Sequence, residues 1–317
     1  MFPVTFQTST IAVAQIVAMG SIGFYLVRSG LVKEDGLKLI SFLTVNLFFP
    51  LFIFYQIISN FKAIHMPYWW GFPLVAILLP LTGLSIVSLL VLRHQHPYKS
   101  TFLAVASFHN GGYLPLLMVA ALPLGTFAAQ ANAGIIFSII GFDICVWSLG
   151  VWLLTKDETT RMDFRKILNA PLISMFTAWF IVLTFGPGVV SPIVLKPIAM
   201  MGQGTMAFAM LLIGGNLGMT SLARVNWKEI STIVLIKLFV MPLLALLLLI
   251  QLKLNPMISF IAMLNACMPC SITLSIIGRN YATKNQDFVN QSIFITHLLS
   301  IITIPIFLGL YGKLIST

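Results

Sequence analysis

The stretch Ser107-Phe108-His109-Asn110-Gly111-Gly112-Tyr113-Leu114-Pro115 sits in the middle of an apolar run of about 20 residues. A second run of the same kind holds Asn265-Ala266-Cys267-Met268-Pro269-Cys270. Each places an asparagine four or five residues before a proline. Proline removes a backbone donor and clashes with the preceding turn, so a helix broken there leaves polar backbone groups without partners. Inside hydrocarbon such groups must be buried in protein or line a cavity. Two interrupted hydrophobic segments at corresponding positions of two halves point to a binding site near the membrane midplane.

Working outward, the 317 residues are 59% hydrophobic and 8% charged. That composition excludes a soluble enzyme and predicts a polytopic helical membrane protein. Ten spans follow from the apolar runs: 6–27, 37–59, 68–92, 100–122, 131–154, 169–187, 194–219, 229–251, 256–279 and 287–311. The net charge of +10 lies mostly between them, without a basic stripe interleaved with aromatics, so nucleic acid is not a partner. Lys62, Lys196, Lys253 and Lys313 fall on one side. Arg28, Lys33, Lys38, Arg93, Lys99, Lys156, Arg161, Arg165, Lys166, Arg224, Lys228, Arg279 and Lys284 fall on the other, and Lys237 lies inside the eighth span. The 13:4 split makes the richer side cytoplasmic and puts both termini outside. Residues 1–155 then form a first set of five spans, 156–168 a cytoplasmic linker and 169–317 a second set. An odd number per set inverts the second relative to the first, which makes the fold all-α with two inverted repeats.

The other motifs are weaker. Cys267 and Cys270 have the spacing of a redox pair or half a zinc site, but no second ligand pair accompanies them; with Cys145 they read as small buried hydrophobes. No metal site, P-loop, nucleophile elbow or other enzyme signature is present, and no cofactor is expected.

Taken in order along the chain, several stretches resemble the auxin efflux carrier family of permeases, which includes plant PIN-type carriers and bacterial malonate-type transporters. They are Gly23-Phe24-Tyr25-Leu26-Val27-Arg28-Ser29-Gly30, Asn46-Leu47-Phe48-Phe49-Pro50, Asn110-Gly111-Gly112-Tyr113-Leu114-Pro115, Asp143 with Trp147 and Gly150, Gly214-Gly215-Asn216-Leu217 and the proline-broken ninth span. The resemblance implies two inverted repeats of five with broken, crossing fourth and ninth helices. It implies a secondary transporter of small organic anions, such as mono- or dicarboxylates, working by an elevator-like motion in a bacterial inner membrane. Spans 1, 2, 6 and 7 would form a scaffold, dimeric by expectation, and spans 3–5 and 8–10 the moving part. The family's fourth-helix asparagine corresponds to Asn110, and its second-half counterpart is most nearly Asn265.

An asparagine amide offers two donors to a carboxylate, and open helix ends add N–H groups and a positive dipole end. Asn110, Gly111, Gly112, Pro115, Asn265 and Pro269 are therefore the expected substrate contacts. Asp143, whose burial without compensation costs roughly 3 kcal/mol, needs a partner, water or a proton. Lys237 is the obvious opposite charge, and whether the two meet stays open. Asp143 reads as a structural tie, a proton-coupling carboxylate or part of a cation or substrate site. His109 and His297 are either core histidines or carriers of a coupled proton. Asn46 can satisfy a backbone group freed by Pro50. The coupling ion is open between H+ and Na+. Two other functions remain in view: a sodium-coupled anion symporter of bile-acid-transporter-like type, and a ligand-sensing membrane receptor that does not transport.

Overall fold

The computed structural model describes residues 5–60, 68–91, 99–156, 170–186, 188–221, 225–280 and 285–315. Residues 157–168 of the expected linker lie outside the described residues, as do Lys62, Arg93, Arg161, Arg165, Lys166, Arg224 and Lys284. The described chain is helical: α1 (Phe6–Arg28), α2 (Glu34–Leu43), α3 (Phe49–Asn60), α4 (Gly71–Val91), α5 (Lys99–Ser107), α6 (Tyr113–Ala121), α7 (Ala128–Cys145), α8 (Val151–Thr155), α9 (Ala170–Phe185), α10 (Pro192–Met219), α11 (Trp227–Leu235), α12 (Met241–Leu252), α13 (Pro256–Ala266), α14 (Thr273–Asn280) and α15 (Gln286–Ile315). A single residue pair, His109 with Cys270, makes an isolated antiparallel bridge.

Seven continuous helical segments among the described residues are long and apolar enough to cross a membrane. They are Phe6–Arg28, Glu34–Ser59, Gly71–Leu89, Gly125–Thr155, Pro192–Met219, Trp227–Leu252 and Gln286–Leu314. The three other expected spans have visible reasons for falling short. The fourth is divided into α5 and α6, the ninth into α13 and α14, and α9 is 16 residues long. The protein is thus an all-helical, multi-span integral membrane protein.

Three π-turns join helices end to end: Thr44–Phe48 between α2 and α3, Val146–Gly150 between α7 and α8, and Ile236–Val240 between α11 and α12. Two of them end two residues before a proline, Pro50 and Pro242. A proline ring pushes away the carbonyl four residues back, and widening that turn makes room for it without ending the helix. Pro50 therefore produces a bulge in a continuous span. Asn46, inside the first π-turn, donates its Nδ2 to the Phe42 carbonyl one turn upstream at 2.9 Å.

The chain divides into two compact units. One holds residues to Ile16, Trp70–Asp163 and Thr220–Thr317; the other holds Val17–Trp69 and Phe164–Met219. The larger unit takes the third to fifth and eighth to tenth expected spans, and the smaller takes the second, sixth and seventh. The first span is shared, with its opening part in the larger unit. This follows the grouping that the resemblance implies, except for those first residues.

In the smaller unit, α10 packs through glycines. A Cβ on Gly214 would fall on the Gly20 carbonyl, and one on Gly23 would meet the Leu211 carbonyl. One on Gly202 would lie 2.8 Å from the Phe52 backbone. Close backbone approach of this kind replaces the hydrophobic drive that is missing between helices in lipid. Within the larger unit, α4 lies along α7 at similarly short range, where Gly141 faces the Pro73 carbonyl. The apolar side chains left exposed, such as Phe180, Leu183 and Ile193, are those of a surface that lipid covers.

Candidate functional site

α5 ends at Ser107 and α6 begins at Tyr113; α13 ends at Ala266 and α14 begins at Thr273. The two interruptions lie against each other inside the larger unit. The Asn110 N–H donates to the Pro269 carbonyl at 2.8 Å, and the Ser271 N–H donates to the Phe108 carbonyl at 3.1 Å. These two bonds flank His109 and Cys270, the non-hydrogen-bonded pair of an antiparallel ladder one rung long. The rung satisfies four backbone groups that two broken helices would otherwise leave bare in hydrocarbon.

The register of that rung adds Ser271 to the residues read from the sequence. In this antiparallel register Asn110 stands against Pro269 and Phe108 against Ser271, and the local two-fold of the rung makes Ser271 the equivalent of Asn110, each donating its N–H across it. Asn265 instead lies in the last turn of α13, where its Nδ2 donates to its own helix at the Ile261 carbonyl, 3.1 Å away. The prolines also differ. Pro115 occupies the first turn of α6, where the missing N–H has no intrahelical acceptor in any case. It starts a helix, and the break lies upstream of it. Pro269 is within its break and contributes a carbonyl to the rung.

Glycines shape the first interruption. A Cβ on Gly111 would sit 2.7 Å from the Phe142 ring and 3.2 Å from His109 Nε2, so this residue lets the backbone lie against α7. At Gly112 nothing lies within 4 Å of the Cβ position, which makes it the open face of the turn. Its φ of −108° and ψ of −89° fall outside the regular regions.

The buried polar groups gather around this crossing. Lys237, 2% exposed on the third π-turn, donates its ammonium to the Ser107 carbonyl at 2.8 Å. A positive charge at the C-terminal end of α5 meets the negative end of that helix dipole and binds one of its orphan carbonyls. Lys237 is therefore tied to Ser107 rather than to Asp143. Asp143 is buried on α7.

Asn110, 4% exposed, places its Nδ2 3.2 Å from His297 Nε2, and His297 Nδ1 lies 2.8 Å from the Ile293 carbonyl. His109 packs its ring on Phe142 at a centroid distance of 5.2 Å. Thr296 Oγ1 accepts from the Cys270 N–H at 3.3 Å. Among the described residues at the crossing, four buried atoms have no hydrogen-bond partner: Ser107 Oγ, His109 Nε2, Asn265 Oδ1 and Ser271 Oγ. Cys145, Cys267 and Cys270 are buried free thiols. Among the described residues no His, Cys, Asp and Glu side chains gather as a metal site.

A family model described as membrane transport protein matches residues 8–163 and 159–308. The chain belongs to this family, the auxin efflux carrier family. No curated protein matches the chain. Family membership makes it a membrane transport protein, in keeping with a non-enzymatic permease.

Of the residues singled out in the sequence, the crossing brings together His109, Asn110, Gly111, Gly112, Pro269 and His297, with Asn265 one turn away and Lys237 reaching it through Ser107. Asn46 belongs to the smaller unit. Ser107, Ser271 and Thr296 were not singled out. The signal for the two serines was present: each adjoins an interruption, at Ser107-Phe108-His109 and at Cys270-Ser271. Thr296 is legible only once α15 is seen beside the second break.

Proposed function

We propose that this permease is a secondary transporter that carries a small organic anion, such as a mono- or dicarboxylate, by an elevator-like alternating-access motion. Ten spans in two inverted repeats, residues 1–155 and 169–317 joined by a cytoplasmic linker, supply the frame. The larger unit is the moving part and the smaller the scaffold, through which two copies pair.

The observation that carries this reading is the bridged pair of helix interruptions. α6 and α14 both begin beside the rung, so their N-terminal dipole ends lie there, although in α14 the Leu274 and Ser275 N–H groups are already taken by the Ser271 and Ile272 carbonyls. A carboxylate at two helix N-termini meets backbone donors and two positive dipole ends without a fixed cation. Asn110 and Asn265 flank that place, Gly112 leaves room at it, and Gly111, Pro115 and Pro269 fix the backbone around it. The unpartnered oxygens of Ser107, Asn265 and Ser271 complete a polar lining.

The test is solid-supported-membrane electrophysiology and isotope exchange on reconstituted protein with a panel of small carboxylates, run with and without sodium. Currents or exchange specific to one carboxylate in wild type, lost in the Asn110→Ala, Asn265→Ala double variant, are expected. Flux unchanged in the double variant would overturn the site. Binding without movement across the bilayer would favour the receptor instead.

A further inference from the structure

Resting on the transporter reading above, we propose that His297 and Asn110 form a proton-linked amide switch, so that one proton travels with the anion. The Ile293 carbonyl only accepts, so the His297 Nδ1 facing it at 2.8 Å carries a hydrogen. In a neutral ring Nε2 is then bare and can only accept. The group facing it at 3.2 Å is the Asn110 Nδ2, a donor. Neutral His297 thus fixes the Asn110 amide with one N–H spent on the ring, leaving Oδ1 and a single N–H for anything else.

A proton taken from water onto Nε2 reverses this bond. Both ring nitrogens now donate, and Nδ1–H stays on the Ile293 carbonyl. Nε2–H needs an acceptor, and a half-turn of the Asn110 amide supplies Oδ1. Both hydrogens of Nδ2 are then released to face a carboxylate. The main chain cannot follow, because the Asn110 N–H is held by the Pro269 carbonyl at 2.8 Å; only the side chain turns. On release of the anion the proton leaves Nε2 and the amide turns back.

The charges balance in the same direction. Asn110 and His297 are both buried, so an imidazolium formed without a partner carries a heavy desolvation penalty. A bound carboxylate offsets it, and by linkage the proton raises anion affinity as much as the anion favours the proton. The elements around α15 carry three further titratable groups: Lys237 on the π-turn, and Cys267 and Cys270 in the second break, where the Cys270 N–H donates to Thr296 beside His297. His109 stands across the rung from Cys270. Lys99, Lys228, Glu229 and Arg279 stand toward the ends of α5, α11 and α14.

Two measurements test the switch. The first needs no ligand: nitrogen-15 spectra of histidine- and asparagine-labelled full-length protein in lipid nanodiscs, with His297→Gln used to assign the ring. The expected result is a ring with Nδ1 protonated and Nε2 bare at alkaline pH. On acidification, or on adding malonate, the His297 and Asn110 side-chain signals should move together. Hydrogen on Nε2 at alkaline pH, a ring that never takes a proton in either state, or protonation that leaves the Asn110 amide unmoved would each overturn the switch.

The second uses malonate in proteoliposomes with an entrapped pH dye, across the neutral range where carboxylates stay ionised. In wild type, malonate entry should acidify the lumen, and the apparent KM should fall by up to about tenfold per unit drop in pH, the limit for one linked proton. His297→Gln should still exchange malonate, with a pH-independent KM and no lumenal acidification. Proton uptake that survives His297→Gln would overturn the switch while leaving the transporter reading intact. Failure of every carboxylate to move would overturn the transporter reading, and the spectra would then decide the switch by themselves.

Discussion

The two units bury different things. Among the described residues of the smaller unit, the fully buried polar side chains are Thr44 and Thr205. The larger unit buries Lys237, Asp143, His109, His297, Asn110, Asn265 and Gln291, together with many serines and threonines. The smaller unit is held by backbone laid on backbone through Gly23, Gly202 and Gly214. Its polar groups mostly bond within single helices, as with Thr44 Oγ1 on the Ile40 carbonyl at 2.7 Å and Asn46 on Phe42, while Ser174 Oγ on α9 donates to the Pro50 carbonyl of α3 at 2.6 Å. In the larger unit they connect elements distant in sequence: Lys237 with Ser107, Asn110 with His297, Cys270 with Thr296. Polar side chains inside a membrane are expensive, and a fold that needed only to hold together would resemble the smaller unit throughout. The contrast assigns shape to one unit and chemistry to the other.

The largest effect expected from breaking this contrast comes from the glycines. Gly214→Val places a branched side chain on the Gly20 carbonyl, where neither helix backbone can give way. Overpacking in a close helix contact should destabilise by about 3 kcal/mol, read as a lowered thermal transition in detergent and loss of monodisperse protein. Next is Asn110→Ala, which should cost only about 1 kcal/mol of stability for its bond to His297. Transport measured by isotope exchange should nevertheless fall roughly a hundredfold, since removal leaves a charged ligand without its amide donors. A variant of the larger unit that loses function while keeping its fold, set against one of the smaller unit that loses its fold, is the comparison in its sharpest form.

How much of this was legible beforehand depends on the type of signal. Length and apolarity are local, so the continuous spans could be read directly, and Asn110-Gly111-Gly112 marked the first interruption because glycine and an unpaired amide are conspicuous in an apolar run. The second interruption was located by Pro269, and counting back from it gave Asn265. The register of the rung adds Ser271, whose N–H donates across it as that of Asn110 does. That register is set by two backbone hydrogen bonds between segments about 160 residues apart, which side-chain identity does not encode. The fate of Lys237 was equally hidden. Charge alone suggests a carboxylate partner, but a helix that stops inside the bundle offers a carbonyl end as good as an acid, and only the packing shows which end is near. Pro50 and Pro242 taught the opposite lesson, since a π-turn absorbed each of them without ending the span.

Lys237→Met separates the charge from the packing. A buried ion replaced by an apolar side chain of similar length is often neutral or slightly stabilising, so the thermal transition should stay within about 1 kcal/mol of wild type. The Ser107 carbonyl then loses its donor at the edge of the crossing, and the half-helix α5 loses the charge at its end. Transport should fall about tenfold, in line with one charge-assisted hydrogen bond. A variant that unfolds instead would show that Lys237 holds the larger unit together, which would blur the division between shape and chemistry.

The smallest effect is expected at Asn46, and it is the most direct attempt to break the contrast from the other side. Asn46 is exposed, sits in the π-turn before Pro50 and gives its Nδ2 to the Phe42 carbonyl of its own helix. Alanine removes that bond but is the better helix former, and the two changes nearly cancel at about 0.5 kcal/mol each. Asn46→Ala should therefore leave both the thermal transition and carboxylate exchange at wild-type values. A collapse of exchange with stability unchanged would mean that an amide in the smaller unit takes part in transport. The polar chemistry would then no longer be confined to the unit that contains the crossing.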